Sequence, residues 1–151
     1  MKKLLLASIA LCLTLPGCWP WAPAKKLTGL VIINVLEPEQ YNDCHIKGSI
    51  NIAPDKIATC ANTVEKDAKV VVYCTNPMCT ASDYARKELM KMGFKNVHAY
   101  EAGIAGWYQA KLPVEGPCNE GYLKMMVTEP EPAEGTISTR DLAAKMGVTA
   151  P

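Results

Sequence analysis

A single phenylalanine occurs in the 151 residues, so any core has to be built from Val, Ile, Leu and Met with a few Tyr and Trp. Excess charge is missing too: 16 Lys and Arg stand against 15 Asp and Glu, and both signs are interspersed. That balance excludes a nucleic-acid-binding footprint, which needs clustered cations and a strongly basic chain. No apolar run reaches the length of about 20 residues that a membrane-spanning helix needs. Cys44, Cys60 and Cys118 lack the close cysteine partners of a zinc site, so no metal is implied and no cofactor is called for. No internal repeat of solenoid length is visible. What remains is an ordinary balance, 49% apolar and 21% charged, sufficient for one globular domain.

The N-terminus carries more information. Met1-Lys2-Lys3 is a basic head, and residues 4–15 form an apolar run suited to a cleaved export signal rather than a span. The run ends in Leu15-Pro16-Gly17-Cys18, which resembles the lipobox of bacterial lipoproteins. The resemblance implies a signal over residues 1–17, cleavage before Cys18 and lipidation of its thiol. Residues 18–29 then form a tether, and the membrane is touched through the lipid anchor only. No Asp follows Cys18, which in a Gram-negative host implies the periplasm-facing side of the outer membrane. An ordinary secretory signal cleaved nearby exports the chain equally. Export leaves Cys44, Cys60, Cys74, Cys79 and Cys118, an odd number in an oxidising compartment, so at least one thiol lacks an intramolecular partner. With Cys74 free, the other four allow three pairings.

Residues 30–36 are a continuous run rich in β-branched side chains and read as a strand buried on both faces. Pro38 opens a brief helix to about Asp43, with carboxylates near its positive end. A turn at Gly48 leads into a short strand at residues 50–52, and a surface helix is predicted over 54–66. Val70-Val71-Val72-Tyr73 is a further buried strand, ending at Cys74. Helical spacing over 80–92 places Ala81, Tyr84, Ala85, Leu89 and Met92 on one face, with Gly93 as the stop. A strand at 97–100 and a helix over 103–109 follow. Strands alternating with helices predict an α/β domain, a mainly parallel sheet flanked by helices. Residues 128–135 are a Pro/Glu linker. Beyond it Ser138 caps a helix over 139–146, with Asp141 reaching back and Gly147 ending it.

Strand, cysteine, short loop and helix in succession make a reactive thiol. The carboxyl end of a parallel strand faces the ligand side of an open sheet. The following helix presents free N–H groups and a positive dipole end. Both favour a thiolate, the nucleophilic form. A loop Thr75-Asn76-Pro77-Met78 curled around Cys74 would gather amides into an anion-binding nest, continued by Cys79 and Thr80.

Three blocks resemble the rhodanese family in order and spacing across residues 30–116. They are Asn34-Val35-Leu36-Glu37-Pro38-Glu39-Gln40-Tyr41 with His45-Ile46-Lys47-Gly48-Ser49, then Val70-Val71-Val72-Tyr73-Cys74, then Gly93-Phe94-Lys95-Asn96-Val97 with Glu101-Ala102-Gly103-Ile104-Ala105-Gly106-Trp107. The resemblance implies a rhodanese-like three-layer fold over residues 30–117 and a sulfurtransferase. Cys74 would take sulfane sulfur from a small donor such as thiosulfate or a persulfide, hold it as a persulfide cradled by residues 75–80, and pass it to a thiol or cyanide acceptor. The six-residue loop matches sulfur-handling members. The related phosphatases have one more residue and end in Arg, whereas Cys79 and Thr80 stand here, so no guanidinium is present to pair with a phosphate. Asn34 and Leu36 replace an Asp and an Arg usual in the family.

Cys79 is read either as a resolving thiol for Cys74 or as a spectator. A thiol–disulfide redox protein using this pair, served by a thiol reductase, is the alternative function, and a catalytically degenerate binding module is the third. Residues 118–135 read as a linker. The segment 136–151 looks like the strand–helix unit with which the family usually begins, displaced to the C-terminus. It completes the domain in cis, exchanges with a neighbour, or is a loose tail.

Overall fold

The computed structural model describes residues 25–150. Four strands form a parallel sheet in the order β3-β1-β4-β5, where β1 is Leu30–Asn34, β3 Ile50–Asn51, β4 Lys69–Tyr73 and β5 Asn96–Tyr100. Because side chains alternate across a pleated strand, a strand covered on both faces must be apolar throughout. The β4 strand shows it: Val70 and Val72 enter one core, Val71 and Tyr73 the other. The first core holds α3 (Ala81–Lys91) against the sheet through Ala85 and Leu89, with Phe94 of the following turn beside them. The second packs α4 (Gly103–Gln109) through Ile104 and Trp107. The molecule is therefore the three-layer α/β fold that the alternating pattern implied.

Local signals set most boundaries. Pro38 stands in the first turn of α1 (Pro38–Asp43), and Gly93 follows α3 with φ +88°. Three details differ from the sequence expectation. The stretch expected as one helix over 54–66 is a 3₁₀ turn, Pro54–Thr59, followed by the single-turn α2, Cys60–Thr63. Tyr84 lies on the solvent side of α3, while Ser82 takes the buried position. A two-stranded antiparallel ribbon, β2 (His45–Ile46) with β6 (Val114–Glu115), had no periodic signal at two residues per strand.

The segment after β6 is bound to the domain. Cys44, at the end of α1, forms a disulfide with Cys118 across 74 residues of sequence. Leu123, in a 3₁₀ turn at Gly121–Lys124, is fully buried beside α4, so residues 118–135 supply core as well as connection. Past the linker, the Ala99 N–H donates to the Gly135 carbonyl at 2.9 Å and the Ile137 N–H to the Ala99 carbonyl at 3.0 Å. Thr136 thus lies parallel to β5 at its open edge. Helix α5 (Thr139–Met146) then packs Leu142 and Ala143 into the second core of the same chain. Ser138 Oγ accepts from the Asp141 N–H at 3.1 Å, and Gly147 ends the helix at φ +67°. The linker carboxylate of Glu129 accepts from the Thr139 N–H at the positive end of this helix.

A cross-link spanning this much chain restricts the unfolded state. Chain-entropy arguments put its contribution at about 4 kcal/mol. The Cys44→Ala/Cys118→Ala double variant is expected to lose about 2–4 kcal/mol of unfolding free energy, measured by urea titration. An unchanged midpoint would mean the disulfide does not stabilise the fold.

Candidate functional site

Cys74 follows β4 directly, and its position is fixed from both sides. One residue earlier, the fully buried Tyr73 turns its hydroxyl to the 45–49 turn. It accepts from the Ile46 N–H at 3.0 Å and pairs with Ser49 Oγ at 2.9 Å. One residue later, the chain meets the first turn of α4. The Cys74 and Thr75 carbonyls accept from the N–H groups of Ile104 and Ala105, both at 2.9 Å. These carbonyls face α4. Gly103, with φ +63°, lets the helix come this close: a Cβ there would lie 2.6–2.7 Å from the Thr75 carbonyl group and the Cys74 oxygen.

The loop closes on itself. Asn76 Oδ1 accepts from the Met78 N–H at 3.0 Å, and the Asn76 carbonyl accepts from the Cys79 N–H, also at 3.0 Å. Pro77 has no N–H. Amides 77–79 are therefore unavailable to a ligand. The groups left to meet an anion are the Thr75 N–H and hydroxyl and the Ala81 N–H at the head of α3, with Thr80 as the cap residue between loop and helix. They converge on the sulfur of Cys79. The structure thus differs from the expected nest in one respect, because the amides divide between the two thiols, Thr75 and Ala81 at Cys79 and Ser82 at Cys74.

Cys74 itself is fully buried. Its Sγ lies 3.1 Å from the Cys79 carbonyl oxygen and 3.4 Å from Ser82 Oγ. The two thiols share one loop and one core and influence each other's titration, so they titrate as a pair. Donation by the Cys74 thiol, opposed by partial burial and aided by the Ala81 and Thr75 amides, brings Cys79 down to about 5. The same hydrogen bond, followed by burial, pushes the Cys74 thiol well above the usual range. Cys60, the other free thiol among the described residues, is buried in the first core and raised to about 11 by burial, which makes it a packing residue.

Where the sequence suggested a missing acid–base pair, an amide ladder stands. Asn34 Oδ1 accepts from the Leu36 N–H at 2.9 Å, and Asn51 Nδ2 donates to the Leu36 carbonyl at 2.8 Å. His45 orders its own turn, with Nδ1 2.8 Å from the Tyr41 carbonyl and its ring stacked on Tyr41. Beside the loop is a cleft of about 260 Å³ lined by Asn76, Pro77, Met78, Met125, Met126, Val127 and Thr128. Met78 and Met126 are almost fully exposed there, at 89% and 94%. No lining side chain carries charge. Sequence reasoning placed Met78 in the site but missed three contributors: the far wall at 125–128, Ser82 and the α4 amides. Their roles depend on where α3, α4 and the linker pack, although Ser82 could have been suspected from its place in the first turn of α3. Cys18 and the export signal lie outside the described residues.

The Rhodanese-like domain model matches residues 22–110. The chain belongs to the rhodanese-like family. Among curated relatives, the thiosulfate sulfurtransferase GlpE of Vibrio cholerae is 24% identical over 84 residues, covering 56% of this chain and 77% of that protein. The GlpE of Coxiella burnetii is 26% identical over 87 residues, 58% and 78% of the two chains. Among solved structures, the BH2092 protein of Bacillus halodurans superposes with a TM-score of 0.56 at 28% identity. That match covers 60% of this chain and 66% of the other, just under two thirds of its length. The Rhodanese_3-like domain of the Anabaena Alr3790 protein matches at 0.53 and 27% identity, covering 58% and 93%. Within the rhodanese-like frame, Cys74 is the thiol at the end of the strand before the loop, and Cys79 is a second thiol inside that loop.

The pairing has a measurable consequence. Alkylation of Cys79 by iodoacetamide is expected to be fast at neutral pH and to fall away as pH drops through about 5, when the pair gains its second proton. Cys74→Ala removes the largest cause of the depression, so the Cys79 midpoint should rise towards that of an ordinary thiol. Rates against pH, read on the Cys79 peptide, check both. A midpoint unmoved by the substitution would show that the thiols do not share a proton.

Proposed function

We propose that this rhodanese-like protein is an exported sulfurtransferase that carries sulfane sulfur as a Cys74 persulfide. The observation that carries the reading is the placing of Cys74 at the end of β4, inside a closed loop whose second thiol, Cys79, packs on the same core, with the Cys79 carbonyl 3.1 Å from Cys74 Sγ. A buried thiol is a poor nucleophile until its proton has somewhere to go. Cys79, already anionic and in contact with it, is the acceptor. As the Cys74 proton moves to Cys79, Cys74 attacks the outer sulfur of a donor such as thiosulfate. The sulfur–sulfur bond of the donor breaks and sulfite leaves with its electron pair. Cys74–S–S⁻ remains, and a thiol acceptor then takes the outer sulfur and returns Cys74 as thiolate. The apolar cleft at Met78, Met125 and Met126 gives that acceptor its approach.

Export, with lipidation at Cys18 and a periplasm-facing outer-membrane anchor, is part of the proposal. The Cys44–Cys118 disulfide supports it, because such bonds persist in oxidising compartments.

The test is intact mass spectrometry of the reduced protein after incubation with thiosulfate. A reducible gain of one sulfur is expected in the parent when acceptors are absent and reaction times are short, and none in Cys74→Ser. No sulfur gain and no sulfite release from a demonstrably reduced chain would refute the carrier role. The adjacency of the two thiols favours a second reading, thiol–disulfide exchange, which predicts a cycling Cys74–Cys79 disulfide with no bound sulfur at any stage.

A further inference from the structure

We propose that Cys79 discharges the Cys74 persulfide internally, so that the protein releases hydrosulfide from a sulfane donor without an acceptor thiol and ends each turn as a Cys74–Cys79 disulfide. The inference rests on the sulfur-carrier reading and names the fate of the sulfur at that same site.

Three observations place the second thiol for this step. The Cys79 N–H bonds back to Asn76 and folds the loop so that the Cys79 carbonyl lies 3.1 Å from Cys74 Sγ. Residue 79 is thereby held against the sulfur that would bear the persulfide, whatever else binds. Cys79 is also packed on the same core as Cys74 while remaining partly open to solvent. Third, the Thr75 and Ala81 amides at the Cys79 sulfur stabilise it as the anion that must attack. An intramolecular thiol so placed competes favourably with an acceptor arriving from solution, because its encounter entropy is already lost.

The step balances without an outside oxidant. Cys79 holds the proton that it took from Cys74. That proton passes to the outer sulfur of Cys74–S–S⁻, the Cys79 thiolate so formed attacks the inner sulfur, and a new bond forms between Sγ of Cys79 and Sγ of Cys74. The bond to the outer sulfur breaks, and that sulfur leaves with the electron pair and the Cys79 proton as HS⁻. The sulfane sulfur is reduced to sulfide, and the two thiols are oxidised to a disulfide. Another turn requires a dithiol reductant. Without one, the disulfide protects both sulfurs from further oxidation.

The test uses the full chain, reduced, freed of small thiols and given thiosulfate with no acceptor. Sulfite and sulfide are measured separately, and acid-quenched peptides are mapped. One sulfite and one sulfide per chain are expected, with a new disulfide at Cys74–Cys79, and added dithiothreitol should make both products catalytic. Cys79→Ser also loses the proton acceptor and should release sulfite slowly, but for each sulfite it should hold one sulfur on Cys74 and yield sulfide only after dithiothreitol. Sulfite without sulfide from the parent overturns the inference and leaves the carrier reading standing. Sulfide from Cys79→Ser at the parent rate, or a disulfide elsewhere than Cys74–Cys79, overturns it too. No sulfite from the parent ends the carrier reading and this inference together.

Discussion

A chain ending at Gly135 is expected to lose its cooperative unfolding transition, or to aggregate, at temperatures where the full chain is folded. The segment removed carries Ile137 and Leu142, both buried in the second core. Burying such a side chain is worth about 1.5–3 kcal/mol. It also carries the Thr139 hydroxyl bonded at 2.8 Å to Tyr100, and the Ile137 N–H that donates to the Ala99 carbonyl at the edge of β5. Their loss bares an edge strand, a template for pairing between chains. The combined cost, about 4–7 kcal/mol, is comparable with the whole stability of a domain this size, about 5–15 kcal/mol. Thermal unfolding and size-exclusion chromatography check the result. An unchanged transition and a monomeric profile would show that the segment adds nothing to the domain. Leu142→Ala is the finer version, with an expected loss of about 2–5 kcal/mol.

The second large effect is expected from Gly103→Ala, one methyl group on the helix behind the loop. Its Cβ would stand 2.6–2.7 Å from the Thr75 and Cys74 carbonyl atoms. Those carbonyls accept from Ile104 and Ala105, so α4 cannot retreat without breaking both bonds. Positive φ adds about 1–2 kcal/mol for any residue with a side chain, and overpacking typically another 1–3 kcal/mol. Relief requires the Thr75 peptide to shift, and Thr75 supplies an N–H and a hydroxyl to the Cys79 anion. Two readouts should therefore move together: the melting temperature falls, and the Cys79 alkylation midpoint rises. Gly121→Ala is the control, since a Cβ there meets nothing within 4 Å. A lowered melting temperature with an unmoved midpoint would mean that α4 supports the fold but does not set the loop.

Much of this protein was legible in order. The Val-rich strand ending at Tyr73, the strand ending at Tyr100, Pro38 at a helix start, Gly93 and Gly147 at helix stops, and the Ser138–Asp141 cap are local signals, and local physics sets them. The parallel α/β architecture followed from their succession, and the family from the resemblance of the motif blocks. The elements without a readable signal were short: the two-residue strands β2 and β6, and the 3₁₀ turn where a helix was expected. Too few residues are involved there for any period to show, and tertiary packing decides.

Sequence alone placed Cys74 at the end of a buried strand and Cys79 five residues on, because covalent spacing and strand periodicity suffice for that. It left the role of Cys79 and the position of the last helix open. Where the sequence allowed three complete pairings of four cysteines, only the tertiary structure paired Cys44 with Cys118 and left Cys60 and Cys79 as thiols, since pairing depends on distances between elements far apart in the chain. Only it seated residues 136–146 beside β5 of the same chain, because one amphipathic helix does not say which core it fills. It also gave the Thr75 and Ala81 amides to Cys79, and the interior, with the Ser82 amide, to Cys74. That assignment depends on α4 drawing two loop carbonyls to one side and on Asn76 consuming two loop amides. No single residue records that balance, which exists only once the loop, α3 and α4 are packed together.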